Sequence, residues 1–161
     1  MTFNQQKSHR YAFVHERYNK ALSAGFYLEA ITICESLISD RLLSSLHHRE
    51  QVERNPKKGL AGLIGKHKEQ PLLDPVAMAN GERVMDIFSE LDRWREERNA
   101  LLHGIAKCVP GTKLAPAASL MERSKKAAEE GMHLFRMLDS WHRRAVTATR
   151  QDAAAGPLPT A

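Results

Sequence analysis

At 161 residues, with 42% hydrophobic and 27% charged side chains, the chain has the size and residue usage of one globular domain. That excludes a disordered polymer and leaves too little length for two comfortable cores. No apolar run approaches the ~20 residues a membrane helix needs, and the first seven residues lack the apolar stretch of a secretion signal, so a cytoplasmic chain without membrane contact is expected. Lys and Arg number 24 against 19 Asp and Glu, a formal charge of +5. The excess is spread along the chain rather than gathered in a basic tail, which suits contact with RNA or DNA and equally suits a solvated mixed surface.

The elements follow in order. Ser8 is placed to cap a first helix running to about Ala24, with Tyr11, Val14, Tyr18 and Leu22 recurring at spacings of three and four. Gly25 marks a break. From Phe26 to about His48 the stripe Tyr27, Ala30, Ile31, Cys34, Leu37, Ile38 and Leu42 predicts a strongly amphipathic second helix. Asn55-Pro56 punctuates a loop, and Leu60, Leu63 and Ile64 among glycines suggest a short helical turn. Pro71 and Pro75 enclose another loop. Between about Pro75 or Gly81 and Lys107, residues Val84, Ile87, Phe88, Leu91, Trp94, Leu101, Leu102 and Ile105 predict a long helix that Pro110 and Gly111 end. The last helix, about Ala117 to Thr149, sets Leu120, Ala127, Gly131, Leu134, Leu138, Trp141 and Ala145 on one face. Residues 151–161 are expected as a disordered Ala/Pro-rich tail, and residues 1–150 as one domain. With no period-two segments and no internal repeat, the predicted fold is all-α, an up-and-down four-helix bundle with a short extra helix.

The chemistry concentrates on the third long helix. Val84, Leu91 and Ile105 belong to a series spaced by seven, and the missing member is Arg98. A guanidinium in an apolar seam needs a carboxylate, a polar cavity or an interface, because an unpaired buried charge costs several kcal/mol. Asn99 and His103, four apart, share a helix face, whereas Arg98 and His103 are five apart, roughly 140° around the axis. The long Arg side chain must swing round, or the helix must end near Gly104, or a second copy must face the first, before the two converge. Read structurally, Arg98 is one half of a salt bridge with Glu35 across the bundle, and His103 is a helix-terminal histidine.

The run Arg98-Asn99-Ala100-Leu101-Leu102-His103 resembles the Arg-x4–6-His signature of the HEPN superfamily. Its place on the third long helix, and the segments 25–30 and 33–38 that look like that family's second helix, extend the resemblance over residues 8 to 148. It implies a metal-independent endoribonuclease acting as a homodimer, with facing motifs forming one composite cleft. Arg98 would hold the phosphate, Asn99 would orient the imidazole or a phosphate oxygen, and His103 would move a proton, a task suited to an imidazole because it titrates near neutral pH. Arg95 and Lys107 on the same helix are the expected further RNA contacts. No cofactor and no metal are expected. A prokaryotic defence or toxin-antitoxin setting, with an antitoxin or regulatory protein as partner, is likewise implied by the resemblance alone. Where one branch carries a Tyr two residues after the His, this chain has Ile105, so neutralisation through adenylylation of that Tyr is not expected here.

The rival reading is a HEPN-like module without catalysis, a nucleic-acid- or protein-binding adaptor in which Arg98 and His103 stabilise the bundle or dimer. The remaining motif-like features have plainer readings. Cys34 and Cys108 show no zinc spacing and read as buried thiols. His47 and His48 are neighbours that point about 100° apart, which does not suit a metal. Trp94 and Trp141 fall at core positions.

Overall fold

The structure is a computed structural model and describes residues 3–48, 59–69, 86–106 and 116–155. Among these residues there are five helices and no strand: α1 (Phe3–Ser23), α2 (Tyr27–His48), α3 (Leu60–Lys68), α4 (Ile87–Ala106) and α5 (Ala117–Ala155). Four are long and run up and down the bundle, and α3 is the short addition. Val84, Lys107, Cys108 and the predicted loop residues Asn55, Pro56, Pro71, Pro75, Pro110 and Gly111 lie outside the described residues.

The α1–α2 corner follows from Gly25, whose φ of 78° is open to glycine at little cost. The Phe26 N–H donates to Ala21 O (2.8 Å) and the Gly25 N–H to Leu22 O (3.2 Å). This is a Schellman ending, which satisfies carbonyls that the last turn would leave orphaned. α2 then restarts with the predicted stripe inward: Ala30, Ile31, Cys34, Leu37, Ile38 and Leu42 are all buried.

Several boundaries differ from expectation. α1 starts at Phe3, so Ser8 sits inside the helix and caps nothing. The stretch around Leu60 is the expected short extra helix, nine residues long. It also buries His67, whose Nε2 lies 3.2 Å from Leu42 O and whose ring stacks on Phe88 at 5.0 Å. α4 begins where Asp86 accepts from the Phe88 N–H (3.1 Å) and from Ser89 Oγ (2.5 Å), a cap that outranks the earlier Pro75 and Gly81 as a start signal. α5 continues to Ala155, so the first residues of the expected disordered tail are helical. Ala153 to Ala155 are strong helix formers, and the first breakers in the sequence are Gly156 and Pro157.

The core centres on α5, against which α2 packs most extensively, with α4 second. Close approach is made at small residues. Trp94 Nε1 donates to Ala127 O (2.8 Å), while Tyr18 Oη and Cys34 Sγ both reach Ala128 O (3.2 and 3.5 Å). A methyl at Gly131 would lie 2.6 Å from the Trp94 ring and 3.0 Å from Cys34 Cβ. Thus α1, α2 and α4 all fasten to one turn of α5, and its alanines and glycine are what let them in. Burial pushes the Cys34 thiol up to about 12, as the sequence reading of a structural thiol anticipates.

Candidate functional site

The seven-residue series correctly identifies Arg98 as an interruption of the α4 seam, which is otherwise built on Ile87, Leu91, Trp94 and Leu101, all buried. The Arg98 side chain is 14% exposed and forms an ion pair with Glu35 of α2. Its Nη1 donates to Asn99 Oδ1 (2.5 Å). Nε is buried without an acceptor among the described residues, and burial pulls the guanidinium below its ordinary value. The side chain therefore swings toward the face carrying Asn99 while remaining tied to the neighbouring helix. Two N–H groups go to Asn99 and Glu35, and each terminal nitrogen carries a second.

His103 lies one helical turn beyond Asn99 on the same face, in the last turn of α4, and is exposed. It makes no hydrogen bond or ion pair among the described residues. The structure thus brings Arg98, Asn99 and Glu35 into direct contact and leaves His103 at the surface beside them. Among the described residues of one copy, no second polar group holds the imidazole in a working orientation.

The expected RNA contacts fare differently. Arg95 is 21% exposed and committed to Asp92 at 2.9 Å and to Glu96 at 3.4 Å. Asp92 in turn also accepts from Lys68 (2.9 Å), and these two cations hold its carboxyl below the usual range. Lys107 lies outside the described residues. Farther round the helix Arg93 bridges Glu90 and Glu130, and Glu97 accepts from Arg123. Each of these α4 arginines thus has a carboxylate of its own, so the helix presents a balanced surface rather than a basic one.

A groove of about 760 Å³ runs between α4 and α5, lined by Arg93, Glu97, Ala100, Arg123 and Lys126. Its arginine and glutamate charges are the paired ones just described, Lys126 adds a cation with no ion pair among the described residues, and neither Arg98 nor His103 lines it. Among the described residues no group of three or more His, Cys, Asp or Glu is placed to hold a metal ion. No helix among them is long and apolar enough to cross a membrane.

A second polar cluster escaped the sequence reading altogether. Lys7 and Tyr11 of α1, Asp40 and Arg41 of α2, and Asp139, His142 and Arg143 of α5 meet at one end of the bundle. Asp139, His142 and Arg143 fall at i, i+3 and i+4, so they share a face of α5 legibly enough. What brings Lys7 and Arg41 to that face is tertiary packing between residues about a hundred positions apart. Set against protein-family models, curated proteins and solved structures, the chain matches none.

Proposed function

We propose that this chain is a metal-independent endoribonuclease of HEPN type, working as a homodimer in which two α4 helices face each other. The observation that carries the reading is the Glu35–Arg98–Asn99 chain of contacts ending one turn short of an exposed His103. Glu35 fixes the guanidinium, and Arg98 in turn occupies Asn99 Oδ1, which leaves the amide nitrogen as the remaining donor. The spare N–H groups of Arg98 and the Asn99 amide then meet the scissile phosphate and the charge that builds on it. His103, unencumbered, exchanges a proton with the ribose 2′-hydroxyl or the leaving 5′-oxygen. Attack by the RNA's own 2′-oxygen leaves a 2′,3′-cyclic phosphate and a 5′-hydroxyl, a balanced step that consumes no co-reactant. The second copy supplies what one copy lacks, an opposing set of donors across a shared cleft. A defence or toxin-antitoxin setting with a protein antidote is part of the same proposal.

A second reading has its own support. Because Arg98 is tied to Glu35 within one subunit, the motif also suits an adaptor in which the pair stabilises the bundle and the α4 surface binds a protein or a nucleic acid.

Cleavage of mixed RNA in the presence of chelator separates the two readings. His103→Ala is expected to retain the helical content and RNA affinity of the parent while losing roughly 10²–10⁴-fold in rate. Equal rates for parent and His103→Ala, or no cleavage by the parent across salt and pH, leave the adaptor reading standing.

A further inference from the structure

The positive charge of this chain does not sit on the helix that carries the Arg-His motif. α4 holds Arg93, Arg95 and Arg98 against Glu90, Asp92, Glu96 and Glu97, whereas α1 holds Lys7, Arg10, Arg17 and Lys20 against Glu16 alone. Two adjoining cavities open along α1, one of about 280 Å³ toward α5 and one of about 350 Å³ along α2. They share Lys7 and Tyr11, and neither has a lining residue on α4.

The charges in this groove do not balance. Asp139 is shared by two guanidiniums, Arg41 at 2.6 Å and Arg143 at 2.9 Å. Asp40 accepts from the Tyr11 hydroxyl (2.5 Å) and pairs with Lys7 at 3.2 Å. Two carboxylates thus face three cations, and Arg10, which makes no ion pair among the described residues, lines the adjoining cavity as a fourth. Arg41 is only 13% exposed, so its half-share of a carboxylate is a deficit in a place where water does little to relieve it.

Neutral donors point the same way. Ser44 Oγ accepts from Lys7 Nζ (2.9 Å), which leaves its own O–H to give, and Ser8 lines the same cavity. The Tyr11 ring carries Arg41 and Lys7 near its face, at 5.3 and 5.8 Å, which fixes both cations beside the opening. His142 reports the local field. Its ring, edge-on to His48 at 6.4 Å, is pulled down to about 4, first by burial and then by Arg41, His48 and Lys7, against a single opposing carboxylate, Asp139.

We propose that this groove between α1, α2 and α5 binds a phosphate group, held by Lys7, Arg41 and Arg143 with the Ser8 and Ser44 hydroxyls. The phosphate is either a diester of an RNA strand or the free group of a mononucleotide, and the chemistry of the site is common to both. The site does not depend on cleavage at α4 and holds equally for the adaptor reading.

The test is a titration of the full chain, followed through its backbone amide resonances, with inorganic phosphate, adenosine monophosphate and a single-stranded RNA octamer. Sodium chloride at matched ionic strength is the control. Saturable shifts confined to Ser8, Ser44, His142 and their neighbours are expected with each phosphate ligand and not with chloride. Lys7→Gln and Arg143→Gln should each weaken binding roughly tenfold, the loss of one charge-assisted hydrogen bond. Arg143 is 75% exposed, so its substitution leaves the fold intact. An octamer that binds far more tightly than the mononucleotide identifies an RNA diester as the occupant, and equal affinities identify the free phosphate. Phosphate shifts no larger than those of chloride, or affinities unchanged in both variants, overturn the proposal. Cleavage by the parent and by His103→Ala is read separately, so the two proposals fail independently.

Discussion

A guanidinium that is 14% exposed and leans on one carboxylate makes Glu35 more consequential than its half-buried position on α2 suggests. Glu35→Gln is expected to destabilise the chain by about 1–3 kcal/mol in urea melts, because it leaves a desolvated cation uncompensated. The double variant Glu35→Gln with Arg98→Met should recover much of that loss, and simple additivity of the two single variants would show that the pair is not coupled. His142 offers a second test at this scale. Its folded value of about 4 lies below its ordinary 6.5, so between those values the unfolded chain takes up a proton that the folded chain refuses. Stability therefore falls as pH drops from 6.5 toward 4, with a slope of at most about 1.4 kcal/mol per pH unit from this one group. His15, also lowered by burial, adds in the same direction. Denaturant midpoints at pH 7 and pH 5 should draw together in His142→Gln, and an unchanged gap would absolve this residue. Of these residues the sequence announces Arg98, because a charge in a seven-residue apolar series stands out; it offers Glu35 as a partner from an apolar stretch of α2 but favours a solvated position for it, which the ion pair with Arg98 corrects. It gives His142 no more than a surface or core-edge place on the last helix, because the significance of this residue comes from Lys7 and Arg41 arriving from other helices.

The interlock of α4 with α5 rests on an absent side chain. Gly131→Ala places a methyl 2.6 Å from the Trp94 ring and 3.0 Å from Cys34 Cβ, and the ring is anchored by its bond to Ala127 O. The substitution should cost about 1–3 kcal/mol through overpacking, even though alanine is the better helix former by roughly 1 kcal/mol. Thermal melts check the sign, and Trp94→Phe in the same background should relieve part of the loss by freeing the ring. A Gly131→Ala chain as stable as the parent would mean that α4 and α5 slide apart cheaply. The helices themselves were legible from periodicity: the α2 stripe and the α5 face are buried nearly residue for residue as the 3.6-residue repeat predicts. The ends were less so. Ser8 looked like a cap because its residue type favours that position, yet nothing before it breaks the helix, whereas Asp86 is a cap whose signal was masked by the more conspicuous Pro75 and Gly81 upstream.

For the molecule as a whole, the ribonuclease proposal requires two copies, since His103 has no polar partner within its own chain among the described residues. Light scattering is expected to give a dimer at micromolar concentration, and a monomer throughout that range would remove the composite cleft and with it the proposed activity. The small-residue turn of α5 has a consequence of another kind. Tyr18, Cys34 and Trp94 all attach at Ala127, Ala128 or Gly131, so contacts spanning 110, 94 and 33 residues of sequence close on a segment that leaves the ribosome after all three partners. A nascent chain therefore carries the α5-facing parts of the α1, α2 and α4 stripes uncovered until α5 emerges, and the order of synthesis runs opposite to the order in which the bundle can be locked. During that interval the exposed stripe of α2 is a natural client for a chaperone.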